Sequence, residues 1–353
     1  VYMSENVKTL LLSWVLGIVC LSSFCQTNSK NEAPVCIGFY NLENLFDTIV
    51  DPDTSLILRD EFTPRAEKKY NSERYYQKLT NMARVIADMA MTETPDGPAV
   101  IGVCEVENRR VLEDLVKMPA IASRNYSIVH FDSPDERGID VALLYQEKYF
   151  KPTKSSTHTV IDPSDKSFHT RDQLLVSGKL MGENFHFMVA HWPSRRGGEA
   201  KSQPMRMLAA KTAIHLMDSL HKVDPKAKMI YMGDLNDDPI NASIVDIIKP
   251  ASDAKQAQSG GYYNPMRKLF EDGKGTLSYK GKWNLFDQFI CSSALVMPQV
   301  MGLHFTEARI MKSEYLLNPP GEYEGQPLRT YAGSKWLNGL SDHLPVYLFL
   351  SKK

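Results

Sequence analysis

Residues 229–237 read Met-Ile-Tyr-Met-Gly-Asp-Leu-Asn-Asp. The apolar run Met229 to Met232 predicts a buried strand. Gly233 and the polar Asp234-Leu235-Asn236 end it in a turn that carries a carboxylate and a carboxamide. Layered α/β proteins commonly place their sites where strands stop at one sheet rim. The same arrangement recurs on both sides of this segment. Downstream, Leu285 to Cys291 is a strand-like run containing Asp287, and Ser341-Asp342-His343 immediately precedes Leu344 to Leu350. Upstream, Phe185 to Ala190 ends at His191, Ala99 to Cys104 ends at Glu105, and Val35 to Tyr40 leads into Asn41 and Glu43.

Helical patterns separate these strands. Ser72 to Met89 places Tyr75, Leu79, Met82, Val85, Ile86 and Met89 at steps of three and four, which predicts an amphipathic helix. Val111 to Met118 and Met207 to Leu220 read as two more. Ser127 to Phe131, Val141 to Tyr145 and Leu174 to Leu180 add strands. Alternation of this kind predicts an α/β or α+β layered domain. Residues 252–275 and 314–339 carry turn signals and read as long loops. No linker-like tract divides residues 34–353, which are expected to form one domain.

Lys plus Arg (41) nearly balances Asp plus Glu (42) over 353 residues. That argues against a protein that coats nucleic acid non-specifically, which would be strongly basic. Residues 1–25 read as a signal peptide. Met3 is the expected start, Lys8 supplies the positive region, and Leu10 to Leu21 is an apolar core too short for a membrane span. Cleavage is expected after Cys25; lipidation of Cys25 is the less favoured alternative, because Phe24 is bulky. Residues 26–33 form a polar tether, and export to the periplasm or medium is the expectation. Of the cysteines beyond residue 25, Cys36, Cys104 and Cys291 sit in apolar runs and read as small buried hydrophobes rather than a disulfide framework.

The rim residues fit one chemistry. Asn, Asp and Glu oxygens without a Cys/His cluster suit Mg²⁺, with Mn²⁺ or Ca²⁺ as alternatives. His191 and His343 supply proton or phosphoryl-oxygen contacts, and Asp234 with Asn236 would orient an attacking water. Each piece alone has an ordinary explanation as a turn, a cap or a buried histidine. Their occurrence together in one chain carries the argument.

The ordered series Asn-x-Glu, Glu, His, Gly-Asp-x-Asn, Asp and Ser-Asp-His resembles the endonuclease/exonuclease/phosphatase superfamily. That superfamily includes pancreatic-type deoxyribonuclease, abasic-site endonucleases, neutral sphingomyelinases and inositol-polyphosphate 5-phosphatases. The resemblance runs from about Val35 to Leu350, and GDLND and SDHLPV are its most specific parts. It implies a four-layer sandwich of two packed mixed β-sheets flanked by helices. It also implies Glu105 as the main metal carboxylate, with Asn41, Glu43 and Asp342 around the metal or phosphate. Asp234 and Asn236 then align the water, and Asp287 holds His343. His191 is the second histidine, matching the deoxyribonuclease and sphingomyelinase branches. Arg171 resembles a phosphate-contacting arginine of the deoxyribonuclease-like branch. The first motif departs from several branches in carrying Glu43 where they have Asp. Asp140 and Glu136 are the candidates for orienting His191.

The segment Trp192 to Gly198, with Lys201 and Arg206 beyond, reads as a flexible basic loop beside the site. Arg195 would contact phosphate and Trp192 would stack on a base. Lys68, Lys69, Arg74 and Lys78 read as a solvated basic helix face. The expected substrate is DNA or RNA. Alternatives are a membrane phospholipid, met through Tyr262-Tyr263 and Tyr315-Leu316-Leu317, and a small inositol-type phosphate. A binding protein that has lost the chemistry is the reading from another class. No protein partner is legible, and a monomer is expected.

Overall fold

Along the first strand, alternate side chains enter two different cores. Ile37 and Phe39 pack between the sheets, whereas Cys36 and Tyr40 pack against helices on the outer face. A strand whose side chains alternate between two apolar layers must be central and covered on both sides. The computed structural model describes residues 33–352, so the expected signal peptide at 1–25 and nearly all of the expected 26–33 tether lie outside it.

The chain first lays down β1 (Val35–Leu45), α1 (Ser72–Asp88), β2 (Val100–Val106), α2 (Arg109–Val116), β3 (Tyr126–His130) and β4 (Asp140–Gln146). It then crosses to β5 (Phe150–His158), β6 (Gln173–Leu180), β7 (Glu183–His191), α3 (Glu199–Val223), β8 (Lys228–Asp234) and β9 (Tyr262–Tyr263). After α4 (Met266–Glu271) come a hairpin of β10 (Leu277–Tyr279) and β11 (Lys282–Asn284), then β12 (Asp287–Ser292) and β13 (Leu303–Ile310). A small hairpin, β14 (Tyr331–Ala332) and β15 (Lys335–Trp336), precedes the last strand, β16 (Val346–Lys352).

Two six-stranded mixed sheets result. One runs β13-β16-β1-β2-β4-β3 and the other β5-β6-β7-β8-β12-β9. Ile37, Phe39, Phe187, Val189, Ile230 and Met232 fill the layer between them. Helix α1 covers the outer face of the first sheet through Leu79, Met82 and Ile86. Helix α3 covers the second through Ala210, Ala213 and Met217. The four-layer sandwich inferred from the sequence is therefore present. Gly102 marks how closely the sheets approach, since a Cβ there would stand 2.8 Å from Met232 Sδ.

Strand direction explains why the polar residues converge. Parallel β1 and β2 end together at Asn41 and Glu105, and parallel β7 and β8 end together at His191 and Asp234. The antiparallel neighbours begin at the same rim: β12 pairs Asp287 with Asp234, and β16 starts just after His343. Both sheets thus present their site residues at one end of the sandwich. Cys36, Cys104 and Cys291 are buried and unpaired on β1, β2 and β12, as the sequence predicts. No helix among the described residues is long and apolar enough to cross a membrane.

Candidate active site

Each site residue sits where a strand leaves its extended path. Glu43, Glu105 and Asn236 adopt left-handed backbone with φ of 47°, 59° and 50°, a region that non-glycine residues seldom occupy. The turn at Asn41 is held by Glu43 N donating to Asn41 Oδ1 at 2.8 Å. Asn44 N donates to Glu105 Oε2 at 2.9 Å, which fixes the Glu105 carboxylate against the end of β1. On the second sheet, Asn236 N donates to Asp234 Oδ1 at 3.0 Å, and Asn236 Nδ2 donates to the Trp192 carbonyl at 2.9 Å.

Asp234 lies at the centre. Its Oδ2 accepts from Asn41 Nδ2 at 3.1 Å and faces His191 Nε2 at 3.6 Å and His343 Nε2 at 3.7 Å. His343 Nδ1 and Asp287 Oδ2 are 2.7 Å apart, both buried. Ser341 Oγ donates to the Asn41 carbonyl and accepts from His343 N, so it braces this segment against β1. His191 Nε2 is also 3.8 Å from Glu105 Oε1, whereas its buried Nδ1 has no partner among the described residues.

The two histidines differ in electrostatics. Burial, reinforced by Arg171, Arg137 and His343, drives His191 well below its ordinary value, so it is neutral at neutral pH. Burial also pulls His343 down, but the Asp287 and Asp234 carboxylates outweigh it and raise His343 well above the ordinary value. Burial lifts Asp234 to about 6, with His343 opposing and Asp287 adding to the rise. Burial, then Asp342, lifts Glu43 to about 7.

All nine residues predicted to act catalytically or as metal ligands lie at this rim, but their orientations differ. Glu43 turns partly aside: its Oε2 accepts from Thr330 N at 2.7 Å, and Arg329 Nε lies 3.5 Å from Oε1. Asp342 Oδ2 accepts from Arg329 Nη2 at 3.0 Å. The ligand-type atoms of Asp234, Asp287 and His343 fall within 4.8 Å of one another. Asp287 and His343 are spent on each other, however, so this group reads as a charged acid/base unit. The oxygen set suited to a cation is Glu105 with Asn41, Glu43 and Asp342. Among the described residues Glu105 Oε1 has only long contacts, with Arg137 at 3.4 and 3.5 Å and with His191 Nε2 at 3.8 Å. Hard oxygens clustered at one rim fit a divalent cation.

Several expectations are corrected. Arg171 does not present its guanidinium to the site: it is 6% exposed and donates to Asp135 Oδ2 (2.8 Å) and to the carbonyls of His191 (3.1 Å) and Trp192 (2.6 Å). Arg195 is likewise occupied, by the Asn236 carbonyl (2.9 Å), Glu199 (2.9 Å) and Asn241 (3.1 Å), and it lies over the Phe286 ring. Both are struts rather than free phosphate ligands. Trp192 is buried with Nε1 donating to Tyr231 Oη at 2.7 Å, so it cannot stack on a base. The basic loop is shorter than expected, because α3 begins at Glu199 and buries Arg206 against Asp237 at 2.7 Å. Lys78 is not solvated: it is buried and donates to the Glu43 carbonyl (2.8 Å) and Thr330 Oγ1 (2.7 Å). Asp140 pairs with His130 and Glu136 with Arg196, so neither orients His191. Tyr262 and Leu316 are buried, and Tyr315 Oη donates to Asp88, so these three do not form the lipid-facing device of the alternative phospholipid reading.

Four groups beside the site were not found from sequence. Asp135 and Arg137, from the loop between β3 and β4, link Arg171 to Glu105. Lys78 and Arg329 flank Glu43. The Asp-x-Arg spacing at 135–137 beside the β4 start was the one available signal.

The profile of the Endonuclease/Exonuclease/phosphatase family matches residues 36–352, and the chain belongs to this family of phosphate-ester hydrolases. Among solved structures, a humanized D. rerio TDP2 carrying 14 mutations is 13% identical with a TM-score of 0.53, over 91% of this chain and 100% of that one. The mannosyl-6-phosphatase of Bacteroides thetaiotaomicron is 17% identical with a TM-score of 0.53, over 90% and 99%. The human Nocturnin catalytic domain with bound sulfate is 15% identical with a TM-score of 0.53, over 91% and 95%. At these identities the likeness is one of fold. No curated protein sequence matches the chain significantly.

Proposed function

We propose that this protein is a divalent-metal-dependent phosphodiesterase that hydrolyses the backbone of nucleic acid by direct attack of water. The observation that carries the reading is Asp234 Oδ2 set between His191 Nε2 at 3.6 Å and His343 Nε2 at 3.7 Å, with the Glu105 carboxylate 3.8 Å from His191. Glu105, with Asn41, Glu43 and Asp342, would hold the cation, and the hard oxygen set suits Mg²⁺, with Mn²⁺ or Ca²⁺ as alternatives. Such an ion supplies charge stabilisation at a non-bridging phosphate oxygen.

The protein's own groups account for the rest. Asp234, fixed by Asn41 and the Asn236 amide, orients the water and takes its proton. His343, kept protonated by Asp287, places positive charge against the phosphate and gives its proton to the leaving oxygen as the phosphorus–oxygen bond breaks. His191 offers a neutral Nε2 on the opposite side of Asp234. Ser341 Oγ is committed to the Asn41 carbonyl and to His343 N, and Cys104 is fully buried. With no free serine or cysteine nucleophile at the site among the described residues, inversion at phosphorus is expected. A D. rerio TDP2 structure holds a single-stranded DNA product, which favours a nucleic-acid substrate.

A second reading, a sugar-phosphate monoesterase, is favoured by one observation. Trp192, Arg195 and Arg206 all turn inward, leaving only Arg196 and Lys201 of the expected basic loop exposed to track a polynucleotide. We also propose that residues 1–25 direct export; N-terminal sequencing of the natively produced protein tests this. The deciding experiment is a panel of plasmid, single-stranded DNA, RNA and sugar phosphates, run with Mg²⁺ and with Asp234→Ala as control. Polynucleotide cleavage that the variant loses supports the first reading. Release of phosphate from sugars alone moves the function to the second.

A further inference from the structure

Immediately beside Glu43 lies a cavity of about 260 Å³ lined by Glu43, Asn44, Phe62, Lys68, Arg329 and Tyr331 among others. It is assembled from the end of β1 and two irregular stretches, the one between β1 and α1 and the one that carries β14. Its walls are aromatic. Phe62 stacks on Phe46, and Tyr331 packs edge-on against Trp336. The Lys68 ammonium is held over both wall rings, 5.3 Å from the Phe62 centroid and 4.7 Å from that of Tyr331. Side-chain exposure is only 15% for Lys68, whereas it is 50% for Arg329.

Counting donors shows what the cavity lacks. An ammonium has three N–H donors and a guanidinium five. Among the described residues, Lys68 uses one on the Gly333 carbonyl (3.0 Å) and one on Glu61 (3.2 Å). Arg329 uses one on Asp342 (3.0 Å) and one on Glu43 (3.5 Å). Unspent donors therefore remain on two cations lining one small cavity that shares Glu43 with the reaction centre. Lys78, buried behind the Glu43 carbonyl, adds positive charge beneath it. Cationic donors pre-positioned on aromatic walls match an oxyanion, and the guanidinium fork matches phosphate.

We propose that this cavity binds a second phosphate of the substrate, adjoining the one that is cleaved. The proposal rests on the phosphodiesterase reading and deepens it. A cavity of this size receives a terminal group, so the enzyme would act at phosphorylated chain ends rather than at internal linkages.

The test compares dinucleotides bearing no terminal phosphate, a 5′-phosphate or a 3′-phosphate, with the wild-type protein and with Lys68→Gln. One of the two phosphorylated forms is expected to show kcat/KM about 10- to 100-fold above the unphosphorylated form, the scale of a charge-assisted contact. In Lys68→Gln that ratio should fall towards one, mainly through KM. Calorimetric binding of the same ligands to Asp234→Ala should show the same preference without turnover. Equal kcat/KM for all three, or a ratio that Lys68→Gln leaves intact, overturns the subsite and leaves the phosphodiesterase reading standing. If none of the three is hydrolysed, the phosphodiesterase reading fails. Binding to Asp234→Ala then decides the subsite by itself: phosphate preference upholds it, and no preference overturns it.

Discussion

Asn41 Nδ2 donates to Asp234 Oδ2 at 3.1 Å, and this bond joins the first sheet to the second inside the reaction centre. The carboxylate assigned to the water is therefore aimed by a residue of the opposite sheet. Asn41→Ala is expected to lower turnover by about 10- to 100-fold, the scale of a misaligned catalytic group. Stability should fall as well, by about 1–3 kcal/mol, because Asp234 Oδ2 and Glu43 N each lose a buried partner. Steady-state kinetics beside a thermal melt checks both.

Chelation should abolish activity, and Mg²⁺ or Mn²⁺ should restore it. A ligand that binds only the folded state also raises the melting temperature, so added Mg²⁺ should stabilise the wild-type protein. Glu105→Gln removes the central carboxylate charge, and the metal-dependent rise should shrink or vanish. A rise of unchanged size in that variant would assign the cation elsewhere.

Removing either histidine should cost about 10²–10⁴ in rate. Asp287→Asn should approach the loss seen for His343→Ala, since Asp287 both orients the ring at 2.7 Å and favours its charged form. If Asp287→Asn keeps full activity, His343 does not need its proton.

Arg171 and Asp135 form an ion pair at 2.8 Å with side chains 6% and 1% exposed. Breaking a buried pair by removing one partner typically costs about 3–5 kcal/mol. Arg171→Ala should therefore lower stability by that order and also loosen the His191 and Trp192 carbonyls. Chemical denaturation measures the first effect. A fall in kcat under conditions where the variant is fully folded measures the second.

The loop carrying Asp135 and Arg137 is anchored at its far end by Asp140, which accepts from Ser133 N (2.8 Å) and Ser133 Oγ (2.6 Å) and faces His130 (2.9 Å). Burial raises the Asp140 carboxyl above its ordinary value, although His130 and Ser133 oppose the rise. The folded state then binds this proton more tightly than the unfolded state does. The resulting stabilisation is complete below the unfolded value near ~4 and is lost as pH rises through the folded value. Asp140→Asn, neutral throughout, should flatten that part of the stability-versus-pH curve.

Much of the architecture was legible because central strands are apolar on both faces. Met229 to Met232 and Val35 to Tyr40 announced themselves, and the polar residue ending each one marked the rim. The edge strand β5 was not legible: Phe150–His158 is largely polar and mostly accessible, so it lacks the alternation that identifies a half-buried strand. Side-chain direction was less legible still. Trp192 is buried because Tyr231, 39 residues away, accepts its indole N–H. Lys78 is buried with the Glu43 carbonyl accepting a hydrogen bond from its ammonium. Neither partner is visible in local sequence. The same holds for Arg171 and Arg195, whose residue type suggested phosphate and whose neighbours turned out to be carbonyls and carboxylates.

The left-handed backbone at Glu43 and Glu105 has a consequence for attempts to engineer the protein. Non-glycine residues held in that region cost on the order of 1–3 kcal/mol each, and here the residues concerned are the proposed ligands themselves. Glycine at position 105 would relax the main chain while deleting the carboxylate. A selection for heat tolerance alone would therefore favour inactive variants, and any useful library must screen turnover and melting temperature together.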